Sequence, residues 1–412
     1  MANPGCEPCK DRNGVNRKLS IFIDKSTWPG AHIHPLFPRK FHKGLSEYDL
    51  NIPEMLLTIG YLTTPAAVTG VSLSEFWAWV RYLAAITPND VQMKLTKSFA
   101  SLDPHQKTIL SDDFGMGVSM AWLWDTLDFD LVVDGTYFMR QHARTLGVTQ
   151  RRLAKRGPNK TPDFVARDSK GRWHVIECKG TQSGVNYSTQ QLAGGVAQKH
   201  SLVFPPNYTG QRLVCGLTIG LEDMGGSRLH VIDPPPDEPV EILSSEIPQA
   251  NDAATRGVMS KLLRMSGFEN AAEAVALPEG EWADVLRTPT RAAAERLRQA
   301  LNERDTRIRS ELTEDISQRQ VFEDGFIGRE TKLALPRALR INGVLVTHVI
   351  IQQGVNRDAV DELADQPTVT SLLQQASTDW PKLIGRNYTS SDGLSASLRI
   401  GKLFKSQIHL ES

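Results

Sequence analysis

Two short apolar runs joined by a polar turn, residues 162–179, constrain this chain more than any other stretch. The first run reads Pro162-Asp163-Phe164-Val165-Ala166-Arg167, and the second reads Trp173-His174-Val175-Ile176-Glu177-Cys178-Lys179. Between them, Asp168-Ser169-Lys170-Gly171-Arg172 carries the glycine expected of a tight hairpin turn. Antiparallel strands joined this way bring the start of the first beside the end of the second, so Asp163 and Glu177 should converge. Glu177 and Lys179 are two apart on a strand and point to one face. Two carboxylates and an ammonium meeting at one point make a hard oxygen site for a divalent cation, with a cationic partner beside it.

The flanks extend the pattern. Ser111 or Asp112 reads as an N-cap ahead of an apolar helical run through Val118-Ser119-Met120-Ala121-Trp122-Leu123-Trp124. Phe129 to Gly135 reads as a short strand ending in a turn. Gly180 to Gly184 is a loop, a second helix runs from Ser188 to about His200, and Leu213 to Ile219 is a buried strand. Taken singly, each motif has a plainer reading. A Glu-x-Lys pair on a strand is commonly a solvated ion pair, and Pro-Asp often opens a turn.

Together, Pro162, Asp163, Glu177 and Lys179 resemble the PD-(D/E)xK nuclease superfamily, the restriction-endonuclease-like fold. The likeness covers roughly residues 110–220. It implies an α/β core, a mixed central sheet flanked by helices, with the elements in the order helix, strand, motif hairpin, helix, strand. It also implies that Asp163 and Glu177 bind Mg²⁺, or Mn²⁺ in its place, together with the backbone carbonyl of Cys178. Lys179 would orient or activate the attacking water, and desolvation with nearby positive charge would depress its pKa. Many members add an acid from the first helix. Asp112 and Asp113 are the candidates, with Asp113 taken as the ligand, although either could serve as a helix cap. Some members carry a helper Gln on the helix after the motif, for which Gln190 and Gln191 are placed. The Tyr that follows four residues later in those members is replaced by Gly194 or Gly195.

A basic stretch precedes the hairpin. Between Arg140 and Lys160 lie Arg144, Arg151, Arg152, Lys155 and Arg156, with no Asp or Glu. The whole chain is neutral, 47 basic against 47 acidic side chains, so this run is a local feature. Arg151, Arg152, Lys155, Arg156 and Lys160 are therefore expected to face a nucleic-acid backbone, the other reading being a solvated loop around Gly157-Pro158-Asn159. Nothing in the run reads base sequence.

At 412 residues the chain is long enough for two or three domains. We expect an irregular N-terminus and helical region over 1–109, the nuclease-like core over 110–232, and an α+β recognition or interaction domain over 241–412. Residues 1–50 read as irregular, rich in Pro, His and Lys/Arg. A capping-box start at Ser72 leads into an apolar stripe of Phe76, Trp77, Val80, Leu83 and Ala84. Asp233 to Pro239 is the clearest breaker. Beyond it, 250–320 reads as helical with alternating charges, 325–352 as strands, and 358–375 as helix. Cys178 and Cys215 lie in strands and read as reduced core residues. Cys6 and Cys9 form a Cys-x-x-Cys that could clip zinc or could belong to a frayed terminus. No run of about 20 apolar residues suggests a membrane span, and no signal-peptide apolar region opens the chain, so a cytoplasmic location is expected.

The sequence-level expectation is a Mg²⁺-dependent endonuclease acting on DNA, of prokaryotic restriction, phage defence, DNA mobility or repair type, with a protein partner or a second copy as further possibilities. Two alternatives stay open: a non-catalytic nucleic-acid-binding or assembly subunit on the same scaffold, and an RNA nuclease.

Overall fold

The computed structural model describes residues 16–29, 35–67, 82–88, 90–145, 161–199, 202–233, 240–276, 290–313, 320–341, 344–365, 380–385, 387–392 and 394–412. Cys6, Cys9, the basic residues Arg151, Arg152, Lys155, Arg156 and Lys160, the Ser72 capping box with Phe76, Trp77 and Val80, and the Pro-rich breaker after Asp233 lie outside them. So does the expected helix beyond Asp365.

The molecule is mixed α/β, built on two sheets. The larger has seven strands. In chain order these are β1 (Asn16–Ile23), β2 (Gly44–Asn51), β3 (Phe129–Asp134), β4 (Phe164–Asp168), β5 (Trp173–Thr181), β6 (Thr209–Thr218) and β7 (Arg228–Ile232), and in space they run β2-β1-β7-β6-β5-β4-β3. β3, β4 and β5 form an antiparallel meander. β6 returns parallel to β5, and β1 lies parallel to β7. Helices α1 (Ile52–Thr63), α2 (Pro104–Leu127), α3 (Gly135–Thr145) and α4 (Val185–Lys199) accompany this sheet, and α4 is the crossover between β5 and β6. Two neighbouring parallel strands need such a crossover, because a tight turn can only join antiparallel ones.

The N-terminal part differs from expectation. Residues 16–51 are not irregular, because β1 and β2 join the main sheet with eight paired positions. Leu19, Ile21 and Ile23 are buried and alternate with partly exposed neighbours, the period-2 pattern of a half-buried strand. The Pro- and His-rich segment that follows masked that signal in the sequence. Helix α2 also begins earlier than expected, at Pro104. Asp103 is its N-cap, accepting from the Gln106 amide at 3.1 Å, so Asp112 and Asp113 lie mid-helix and neither caps it.

The second sheet has six antiparallel strands in the order β8 (Gln320–Phe322), β9 (Phe326–Ile341), β10 (Val344–Asn356), β13 (Phe404–Glu411), β12 (Ser395–Ile400), β11 (Asn387–Asp392). Helix α1 lies between α2 on one side and β11 and β12 on the other. Its exposed surface is correspondingly small, and Met55 to Leu62 are all buried, as expected of a helix covered on both sides.

Helices α5 (Ile247–Met265), α6 (Glu269–Ala276), α7 (Arg291–Thr313) and α8 (Arg357–Asp365) complete the described elements of eight or more residues. α7 carries the alternating charges read from the sequence, including an exposed Arg298–Glu295 pair at 2.7 Å. α5 behaves otherwise. It packs on β3 and α3 and is buried almost throughout, so the boundary drawn at 233–241 does not separate it from the first half of the chain. Its charged residues are paired inside the protein. The fully buried Lys261 ammonium meets Asp134 at 2.8 Å at the end of β3, and Arg256 meets Asp252 at 2.8 Å. Unpaired charges would be strongly destabilising there. Cys178 and Cys215 are buried, form no disulfide and stand opposite each other across β5 and β6. No helix among the described residues is long and apolar enough to cross a membrane.

Candidate active site

The β4–β5 hairpin closes as its turn chemistry dictates. Asp168 accepts the Lys170 and Arg172 amides, each at 2.9 Å, and Gly171 takes a left-handed φ of 76° that an L-side chain would resist. Register then runs Arg167 opposite Trp173 through Phe164 opposite Ile176. One step further, Asp163 and Glu177 stand opposite each other at the open end. The two are laced together. The Asp163 amide donates to Glu177 Oε2 at 3.1 Å, and the Cys178 amide donates to Asp163 Oδ2 at 2.7 Å. Lys179 reaches back along the same face to pair with Glu177 Oε1. Glu177 is fully buried, while about a quarter of the Lys179 side chain (23 %) is open to solvent.

Glycines let three elements close on this point. A Cβ on Gly115 of α2 would come within 2.8 Å of the backbone at Lys179 and Gly180. A Cβ on Gly180 would fall 1.7 Å from the Ser111 carbonyl oxygen. Helix and strand therefore touch backbone to backbone, which no larger residue permits. On the other side, Gly195 of α4 sits against Val214 and the Glu177 side chain, where a Cβ would be 2.8 and 3.2 Å away. Gly195 is thus the point of helix-to-strand approach. Gly135 seals the third side, its amide donating to the Asp163 carbonyl at 2.9 Å.

The two acids weighed on α2 have different surroundings. Asp113 accepts a very short hydrogen bond from the Tyr82 hydroxyl. Asp112 is the one whose charge interacts with Lys179 and with Asp163. Asp112 thus interacts with the site's charges, and Asp113, the residue expected as ligand, accepts from Tyr82. The rotation follows from Gly115. That residue lies against Lys179 and fixes which face of the helix meets the strand, and Asp112, one turn earlier, shares that face. Tyr82 lies far off in sequence, so this bond left no readable signal. Gln191 occupies the same helix face as Gly195 four residues on, and its Oε1 is shielded without a hydrogen-bond partner. Gln190 is exposed.

Electrostatically, the site holds more negative than positive charge. Burial, reinforced by Asp163, pushes the Glu177 carboxyl up to about 8. Burial also raises Asp163 against the pull of Lys179, and raises Asp112. Lys179 departs from expectation. Burial alone would lower it, but Glu177 and Asp163 outweigh that and hold it above its ordinary value. It is an ammonium at neutral pH, a donor rather than a base.

Among the described residues, no three His, Cys, Asp or Glu side chains are gathered in ligating geometry. The donor set nonetheless suits a hard cation. Two buried carboxylates share one ammonium, and Glu177 Oε1 faces that ammonium as an ion pair without an aligned hydrogen bond. Additional positive charge would relieve the raised carboxyl groups. Comparison with protein-family models, curated proteins and solved structures finds no match for this chain.

Proposed function

We propose that the chain is a metal-dependent nuclease hydrolysing phosphodiester bonds of DNA on a restriction-endonuclease-like core. One observation carries this reading: Asp163 and Glu177 meet across the open end of a hairpin with Lys179 on Glu177, under a helix that brings Asp112 to the same point. The element order from α2 through β3, β4, β5 and α4 to β6 supports it.

Asp163, Glu177 and the Cys178 carbonyl would hold Mg²⁺, or Mn²⁺ in its place, with Asp112 contributing charge from α2. When bound, the ion supplies neutralisation of the phosphate oxygens and acidifies water. The rest falls to the chain. Lys179, kept charged by its two carboxylates, offers its ammonium to a phosphate oxygen or to the attacking water and fixes either one by hydrogen bonding. Gly195 and Gly180 keep α4 and α2 close enough to exclude bulk water around Glu177, which strengthens every charge interaction there. The basic run ending at Lys160 would bind the phosphate backbone. The setting this suits is restriction, phage defence, DNA mobility or repair.

The test is cleavage of supercoiled plasmid, linear DNA and RNA, with Mg²⁺, Mn²⁺ or EDTA. Wild type is compared with Glu177→Ala and Lys179→Ala, and circular dichroism checks their folding. Metal-dependent cutting by wild type alone supports the proposal, and the preferred polymer names the substrate. Identical behaviour of wild type and folded variants on all substrates would favour a binding scaffold.

A further inference from the structure

The sheet face that α4 covers continues past that helix. A Cβ on Gly216 of β6 would come within 2.8 Å of Leu192 of α4, so Gly216 lies beneath the helix. Gly216 is in register with His230 of β7, His230 with Phe22 of β1, and Phe22 with Leu45 of β2. Residues in register on neighbouring strands share a face, so His230, Phe22 and Leu45 form one row on the α4 side. Buried and partly exposed residues alternate along β1 and β7, and Phe22, Arg228 and His230 belong to the partly exposed set. Leu45 at the sheet edge is 67 % exposed. Phe22 and His230 meet edge to face with ring centroids 5.0 Å apart, and the Arg228 guanidinium lies 4.6 Å from the centre of the Phe22 ring. An arginine held on an aromatic ring offers a flat cation on which a base can stack.

Two lysines stand at one end of this shelf. Lys25 follows β1 and Lys43 precedes β2, and both are exposed. The Lys25 ammonium lies 5.1 Å from the centre of the Phe37 ring. Phe37 packs edge-on against Trp28 and Phe41, and Trp28 donates to Gln211 of β6 at 2.8 Å. The lysine is thus presented from a segment anchored in the core. The adjoining Lys43 side chain, by direct contact and by like charge, holds Lys25 below its ordinary pKa. Like charges side by side are unfavourable, and an anion between them relieves the repulsion. Among the described residues, Lys25, Lys43 and Arg228 have no acidic partner. The acids of this face are engaged elsewhere: Lys18 meets Asp49 at 2.8 Å and Glu47 at 3.7 Å, and Asp24 accepts the Ser26 amide at 3.0 Å.

We propose that this shelf binds single-stranded nucleic acid, with bases stacked on Phe22, His230 and Arg228 and backbone phosphates held by Lys25 and Lys43. The spacing favours a strand over a free nucleotide. Arg228 is level with Ser20, while the lysines lie just past the Ile23–Gly44 pair, so roughly 13 Å of strand separates the two cationic ends. A single strand also exposes the base faces that a duplex hides. The shelf does not rest on the cleavage reading, because α4 packs over β5 and β6 and stands between it and Lys179.

Fluorescence anisotropy of the full chain in EDTA tests this, with a fluorescein-labelled oligothymidylate and a labelled duplex of the same length as probes. Lys25→Ala/Lys43→Ala removes the charges at exposed positions, and Phe22→Thr removes the ring while keeping a strand former. Circular dichroism checks both, and His230→Thr replaces Phe22→Thr if that variant misfolds. We expect each folded variant to weaken binding of the single strand by about tenfold or more. The lysine variant should also flatten the salt dependence, by about 1.4 in the slope of log K against log salt for two lost phosphate contacts, whereas the ring variant should leave that slope unchanged. Absence of binding, a duplex bound as tightly as the single strand, or a folded variant of either kind that binds as wild type does, overturns the proposal. Glu177→Gln, run in parallel, should bind as wild type does, so a failure of cleavage and a failure of this shelf are read separately.

Discussion

The two ends of one hairpin treat a buried carboxylate in opposite ways. At the turn end, burial alone would raise Asp168, but His174 and Arg172 outweigh it and hold the group at about 2. Its oxygens are occupied by two backbone amides at 2.9 Å and by the Arg172 guanidinium at 2.8 Å. His174 completes the arrangement. Burial keeps the ring neutral, the Gln211 amide donates to Nδ1 at 2.9 Å, and Nε2 is left to donate to Asp168 at 3.3 Å. At the open end, some ten residues along the same ribbon, Glu177 is raised to about 8 and shares a single ammonium with Asp163. One end is satisfied and serves the fold. The other is left short of positive charge, as groups at functional sites commonly are.

Breaking each end should therefore do different things. The largest effect belongs to Glu177→Gln, expected to lower cleavage on the order of 10²–10³-fold while the metal-free protein melts no lower than wild type. A drop in melting temperature would mean that the open end serves the fold after all. Next comes Asp168→Asn. It puts an amide nitrogen in place of Oδ2, so the Arg172 guanidinium and His174 lose their acceptor and the ion pair is broken while the two backbone amides keep Oδ1. It should lower stability by about 3 kcal/mol in urea denaturation, with the rate per folded molecule unchanged.

The pH dependence sharpens the contrast. Asp168 is lower in the folded protein than in the unfolded chain. Its stabilisation is present above the ordinary carboxylate pKa of about 4 and is lost as pH falls through about 2. Glu177 has the opposite sign. Its contribution is complete below an ordinary Glu pKa of about 4.3 and is lost as pH rises through about 8. Denaturation midpoints across pH in EDTA should show both limbs. Asp168→Asn should flatten the acid limb and Glu177→Gln the neutral-to-alkaline one. The smallest effect is expected from Gln191→Met, which removes a shielded, unsatisfied oxygen and should change stability by less than about 1 kcal/mol. A concurrent fall in rate would give Gln191 a part in the site.

The sequence made the hairpin legible because its information is local: Gly171 at the turn, apolar runs on both sides, and acids at fixed offsets. The same holds for β3, for α4 and for β6. What stayed hidden depends on distant contacts. The choice between Asp112 and Asp113 turns on how α2 is rotated, which the Gly115–Gly180 approach and Tyr82 determine. The raised pKa of Lys179 depends on how closely Glu177 and, from the opposite strand, Asp163 gather around it. β1 was missed because its eight residues are flanked by Pro- and His-rich sequence, and its partner β7 lies some 200 residues away. The burial of α5 was missed because its charged residues look like a solvated face until Asp134 is seen beside Lys261.

That last contact bears on how the protein is made. Asp134 ends the strand whose next residue, Gly135, grips the Asp163 carbonyl. The Lys261 that neutralises Asp134 emerges from the ribosome more than eighty residues after Glu177 and Lys179 have been synthesised. The Asp163, Glu177 and Lys179 cluster therefore waits on a distant, later part of the polypeptide for this support. A nascent chain stalled at the Pro-rich segment would carry every residue of the hairpin with that support still missing, so the final shape of this corner is set only once translation is well past it.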